Sequence, residues 1–123
     1  MSFEALRRSA ASLPGVTMDV KWGADECYSI GGKMFAVFGI ERDKAKGLSF
    51  KVDPERFLEL TDVDGIIPAP YLARAHWVQL TAAKAIPNGD ARALIERSHA
   101  LIAAKLTRKA RAAALEAKAV RVP

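Results

Sequence analysis

The sequence predicts an α+β domain: one antiparallel sheet of about five strands, with helices from both ends of the chain packed on one face. Three observations lead there. Residues near both termini recur at helical spacing, residues 16–52 alternate with a period of two, and short turns separate the alternating runs. The chain has 123 residues and is 50% hydrophobic, enough for one domain with a real core.

The elements follow in the order α-β-β-β-β-α-β-α. Ser2 suits a helix N-cap, Phe3, Leu6, Ala10 and Leu13 make one apolar stripe, and Pro14-Gly15 ends it. In MDVKW, Met18, Val20 and Trp22 alternate with Asp19 and Lys21; in ECYSI, Tyr28 and Ile30 alternate with Cys27 and Ser29. Gly31-Gly32 is a two-residue hairpin turn, because both central positions of such a turn need positive φ. KMFAVFGIE is the longest strand, RDKAK a polar loop, and GLSFKV the fourth strand of a meander. Asp53-Pro54 opens a short helix with Phe57, Leu58 and Thr61 inward. Residues 63–76 read as irregular and WVQLTA as the last strand. Asn88-Gly89-Asp90 starts the longest helix, whose buried stripe is Ala91, Leu94, Ile95, Ser98, Leu101 and Ile102. The domain spans 1–106. The alanine-rich stretch 107–123 is a basic helical or frayed tail, with little apolar surface to dock it.

If the alternation runs unbroken, the covered face holds Met18, Val20, Trp22, Tyr28, Ile30, Met34, Ala36, Phe38, Ile40, Leu48, Phe50 and Val52. The open face then carries Lys33, Phe35, Val37 and Lys51 together, an apolar floor with a lysine rim. Such a surface suits an anionic, partly flat partner. Equally, the lysines can simply solvate the sheet and discourage edge pairing.

The net charge is +5, but residues 1–104 hold 13 basic and 13 acidic side chains. The whole excess lies beyond, in Lys105, Arg108, Lys109, Arg111, Lys118 and Arg121 against Glu116. A tail of this kind attracts phosphates without sequence preference, or serves only as a solvated extension. No apolar run is long enough for a membrane span, the N-terminus lacks the apolar block of a signal peptide, and the lone Cys27 allows no internal disulfide. A cytoplasmic protein is expected, monomeric or weakly dimeric, without membrane contact. Cys27, His76 and His99 lack metal-ligand spacing, no glycine loop precedes a helix, and no nucleophile has a base beside it. No metal, cofactor or catalysis is therefore expected.

LPGV, GGKMFAVF, SFKVDPERF and PAPYLARAHWVQL, followed by a long last helix, resemble the MmcQ/YjbR family from about residue 3 to about residue 106. The resemblance implies a frataxin-like (CyaY-like) α+β fold and DNA binding of the double-wing type. It marks Gly32, Lys33, Phe35, Lys51, Pro54, Tyr71, His76 and Trp77 as signature positions. One departure stands out: many members place Lys or Arg just before the His-Trp pair, whereas Ala73-Arg74-Ala75 keeps a single charge.

Two uses of these residues follow. In the first, Lys33, Lys51, Arg74 and His76 contact DNA phosphates. Phe35, Tyr71 and Trp77 offer stacking surface, and Lys105, Arg108, Lys109 and Arg111 add non-specific, salt-sensitive attraction. In the second, the open face or a pocket beside His76-Trp77 receives a protein or a small ligand. Each residue also has a plainer role. Trp77 can be a core anchor for its strand, His76 structural, and Arg74 a partner of Asp62 or Asp64.

Overall fold

The computed structural model describes the backbone of residues 3–120 and the side chains of residues 3–87 and 89–115. Ser2, expected as a cap, lies outside the described residues. The elements are α1 (Phe3–Ala11), β1 (Val16–Lys21), β2 (Asp25–Ile30), β3 (Lys33–Glu41), β4 (Lys44–Lys51), α2 (Pro54–Thr61), β5 (Ile66–Pro68), β6 (Trp77–Leu80), α3 (Asn88–Ala103) and α4 (Arg108–Val120). The strands form one antiparallel sheet in the order β1-β2-β3-β4-β6-β5. The expected meander is present, with Gly31 at φ 58° and Gly32 at φ 81° in its β2–β3 turn. A sixth strand, β5, was not legible. It is three residues long, ends on Pro68 at the sheet edge, and pairs with β6 inside a stretch that reads as loop.

α1 and α3 lie side by side against the central strands, and α2 closes the β5–β6 end. Between helices and sheet sit Leu6, Ile30, Phe38, Leu48, Phe50, Val78, Leu80 and Ile95, all essentially inaccessible to water. The stripe expected for α3 faces inward as read, with Ala91, Leu94, Ile95, Ser98 and Ile102 buried and Leu101 half-buried. In α2 the inward residues are Leu60 and, partly, Phe57, whereas Leu58 is exposed. Asp53 stands at the α2 N-cap without a side-chain capping bond. Its carboxylate instead accepts from Arg97 Nε (2.9 Å) and Arg97 Nη2 (2.8 Å).

The alternation does not run unbroken. The β2–β3 register shifts at Tyr28/Ser29, so that Tyr28 faces Ala36 and Ser29 faces Met34. One residue of β3, Phe35, is left over. A bulge of this kind reverses the side-chain parity on one side of it. Phe35 therefore joins Ala36 on the helix side, wholly buried, and its ring meets His99 of α3 edge-on at 5.1 Å. Met34 passes to the opposite face. A second shift at Gly39/Ile40 lies near the far end of β3.

The outer strand β1 departs from expectation too. Met18 and Val20 are exposed, because β1 is an edge strand that the helices cover only at Val16. Trp22 lies beyond the strand, in the β1–β2 turn, and is 69% exposed.

α4 begins after a short turn, and Ala110 and Ala114 pack against the core. Small residues permit this close approach. A Cβ placed on Gly15, which has φ 73°, would come within 3.3 Å of the Ala114 carbonyl oxygen.

Candidate functional site

The surface expected from sequence, Lys33 with Phe35, Val37 and Lys51 in water, does not exist. Phe35 is under α3 because of the bulge. Lys51 is only 7% exposed. Its ammonium donates to the carbonyl of Ala75, and burial, followed by the neighbouring Lys105 ammonium, holds its pKa below the ordinary lysine range. Lys33 is exposed at the β2–β3 hairpin, and Val37 is half-buried on the open face. These four side chains therefore do not make one contact patch.

Trp77 is an anchor. It is 5% exposed, its carbonyl accepts from the amide of Ala69 (3.0 Å), and its own amide donates to the carbonyl of Leu72 (3.3 Å). The loop thus folds back on the start of β6. His76 sits at φ 63°, half-buried, with its ring edge-on to Phe57 of α2 at 5.7 Å. The ring packs against Phe57 there. Arg74 is exposed, and among the described residues it pairs with neither Asp62 nor Asp64. Lys105, Arg108, Lys109 and Arg111 are exposed on and before α4.

What the open face does carry is a groove of about 560 Å³. Register places its floor: Met34 opposes Ser29, Val37 opposes Cys27 and Ser49, and Ser49 opposes Gln79. Met34, Val37, Ser49 and Gln79 line it from below. One wall is Trp22 with Asp25, from the β1–β2 hairpin; the other is Pro70, Tyr71 and Leu72. Tyr71 is fully exposed. Both wall aromatics hold left-handed backbone, Trp22 at φ 52° and Tyr71 at φ 67°. That conformation costs a non-glycine residue roughly 1–2 kcal/mol and concentrates at ligand clamps. Among the described residues, Asp25 is the one charged side chain lining the groove. Beyond its floor, Asp19 opposes Cys27, whose buried thiol is pushed above its usual pKa, chiefly by burial.

Tyr71 was legible as a candidate; Trp22 was not. The alternation of MDVKW assigned Trp22 to the core. The signal against it was Gly23, which extends the turn by one residue and takes φ 88°.

Among the described residues no group of three or more His, Cys, Asp or Glu is placed to hold a metal ion, and no helix is long and apolar enough to cross a membrane. The YjbR family model matches residues 11–101. The chain belongs to the YjbR family. Two solved structures share the fold. A Deinococcus radiodurans protein with a DUF419 domain is 27% identical, with a TM-score of 0.79 over 92% of this chain and 87% of that one. A Pseudomonas syringae protein is 22% identical, with a TM-score of 0.66 over 83% of this chain and 99% of that one. No curated protein matches the chain in sequence. Within this YjbR domain, the groove is assembled from the two segments that flank the open sheet face: the β1–β2 turn, and the loop between β5 and β6.

Proposed function

We propose that this YjbR protein is a non-catalytic binding module that receives a flat, largely apolar group, an unpaired base or an aromatic ring, in the groove between Trp22 and Tyr71. The observation that carries this reading is the pair of exposed aromatic walls, both at positive φ, over a floor of Met34 and Val37. Stacking on such walls tolerates many ring chemistries, and Ser49, Gln79 and Asp25 supply the few polar groups that orient a ligand.

Binding of DNA through phosphate contacts is the second reading. It draws on Lys105, Arg108, Lys109 and Arg111, and it loses the support of Phe35. Salt separates the two. Phosphate contacts weaken steeply with ionic strength, whereas a groove whose one charged lining side chain among the described residues is Asp25 responds weakly.

Tryptophan emission provides the test. Trp22 is exposed and Trp77 buried, so quenching on ligand addition reports the groove. Titration with adenosine and with a ten-nucleotide oligothymidine is expected to give saturable quenching that disappears in Trp22→Ala and weakens at least tenfold in Tyr71→Ala. Unchanged emission with both probes at millimolar concentration refutes the reading. Quenching that persists in Trp22→Ala does the same.

A further inference from the structure

We propose that the groove selects a ring carrying a positive charge, an N-alkylated heteroaromatic cation, and that the Asp25 carboxylate is the group that reads the charge. This inference rests on the groove between Trp22 and Tyr71 as the ligand site, and it narrows what that site takes. Among the described residues the lining includes one carboxylate, that of Asp25, and no lysine or arginine. Asp25 is half-buried, and among the described residues it is in no ion pair. Lys21 stands opposite it in the β1–β2 register, but the Lys21 side chain is exposed and is not among the groove's lining residues. The basic excess of the chain lies beyond residue 104, away from this face.

The sheet leaves room beside that carboxylate. Gly39 opposes Gly47 in the β3–β4 register, so two neighbouring positions carry no side chain. A Cβ placed on Gly39 would lie 3.9 Å from Asp25 Oδ1, and one on Gly47 would lie 3.5 Å from Gln79 Nε2. The carboxylate from β2 and the amide from β6 thus reach over the same pair of glycines from opposite sides. Gly39 follows Val37 by two residues on β3, so this bare strip continues the apolar floor. The walls favour the same sign of charge. An aromatic face is the negative pole of the ring quadrupole, and tryptophan attracts cations most strongly. Asp25 adds a full negative charge, whose pull strengthens as the ligand displaces water. Neutral and cationic rings offer the same area for stacking. Only the cation gains from the carboxylate, and an anionic group is repelled by it.

Alkylated nucleobases and pyridinium rings share this chemistry, and matched pairs of probes separate them. Isothermal titration calorimetry of the full chain at pH 7 compares 1-methyladenosine, a cation at that pH, with its neutral isomer N6-methyladenosine. A second pair sets 1-methylnicotinamide against its neutral isostere 3-methylbenzamide. In at least one pair the cation is expected to bind roughly tenfold tighter or more, and the tighter of the two cations names the source. In Asp25→Asn, which keeps the shape of the side chain, that preference should fall below about threefold while the neutral partner binds as in wild type. Equal affinity within both pairs, or tighter binding of the neutral partner, overturns this inference and leaves the groove as a site for neutral rings. Absence of binding by all four probes removes the groove as a ligand site, and this inference with it. A preference that persists undiminished in Asp25→Asn also overturns the inference. Loss of the neutral partner in that variant does the same, because the carboxylate would then hold the shape of the groove and not read charge.

Discussion

The hydroxyl of Ser98 donates to the carbonyl of Phe35 at 2.6 Å and accepts from the amide of Lys51 at 3.0 Å. One buried side chain of α3 thus bridges β3 and β4 where the bulge at Phe35 interrupts regular pairing. Replacing Ser98 by Ala leaves a donor and an acceptor unsatisfied away from water. Each orphaned group costs about 1–3 kcal/mol. Ser98→Ala is therefore expected to lower the urea midpoint strongly with an unchanged m value. A loss below about 1 kcal/mol would show that the bridge is not what holds the bulge.

That bridge also marks the limit of what the sequence reveals. Helix stripes, the Gly31-Gly32 turn and the meander were legible because each depends on local periodicity or on one residue's φ preference. The bulge was not. Whether Phe35 or Met34 faces the helices depends on how β2 is registered against β3, and both residues are apolar. Lys51 misled for a related reason. Lysine reads as solvent-facing, but here the closing residue of β4 lies beneath a loop tied down by Trp77 and Ala75. The alanine-rich sequence of α4 offers little area and reads as helical or frayed, yet Ala110 and Ala114 dock through close approach. The groove needed three separate pieces of chain, the β1–β2 turn, the sheet face and the 69–72 loop. The loop, and Val37 of the open face, are legible in one dimension; the β1–β2 turn with Trp22 is not.

The groove walls give a prediction in which stability and binding move in opposite directions. At Tyr71 and Trp22 the left-handed backbone penalises any residue with a Cβ, while glycine takes it without steric cost. Tyr71→Gly is expected to be about 1 kcal/mol more stable than Tyr71→Ala, and both should lose ring stacking alike. Chemical unfolding of the two variants checks this. An alanine variant as stable as the glycine variant would mean that the backbone at Tyr71 relaxes and stores no strain.

Acid sensitivity should centre on Glu26. Arg7 of α1 donates from Nε to Glu26 Oε1 at 2.7 Å, and Tyr28 donates its hydroxyl to the same oxygen at 2.9 Å. Arg7 foremost, with help from Tyr28, holds the Glu26 carboxyl below the usual range. A depressed carboxyl contributes stability that is complete above its unfolded pKa of about 4.3 and is lost as pH falls through the folded value. Glu4, which accepts from the Ala45 amide at 3.1 Å, and Asp53 shift in the same direction. Urea midpoints should therefore decline below about pH 4.5, and Glu26→Gln should flatten that decline. At the alkaline end Tyr28 is pushed up to about 12, by burial first and then by Glu26. Its contribution is complete below the ordinary tyrosine pKa of about 10 and disappears as pH rises towards 12. Tyr28→Phe removes that alkaline loss. If both variants follow the wild-type profile, the Arg7–Glu26–Tyr28 cluster is not linked to folding.

Lys51 supplies a prediction of opposite sign in the neighbouring pH range. Its folded pKa is depressed, so between that value and about 10.4 the unfolded chain binds more protons than the folded one. Stability from this group therefore rises with pH across the window, as the ammonium that burial disfavours gives up its proton. Lys51→Met keeps a similar apolar stem and removes the titration. At pH 7 the substitution should be close to neutral, within about 1 kcal/mol, because relief of a desolvated charge offsets the lost bond to Ala75. The stability of wild type relative to Lys51→Met should then climb as pH rises towards the unfolded lysine value of about 10.4. Tyr28 is common to both proteins and cancels from this difference. A flat difference would mean that the Lys51 ammonium is as well solvated in the fold as in the unfolded chain.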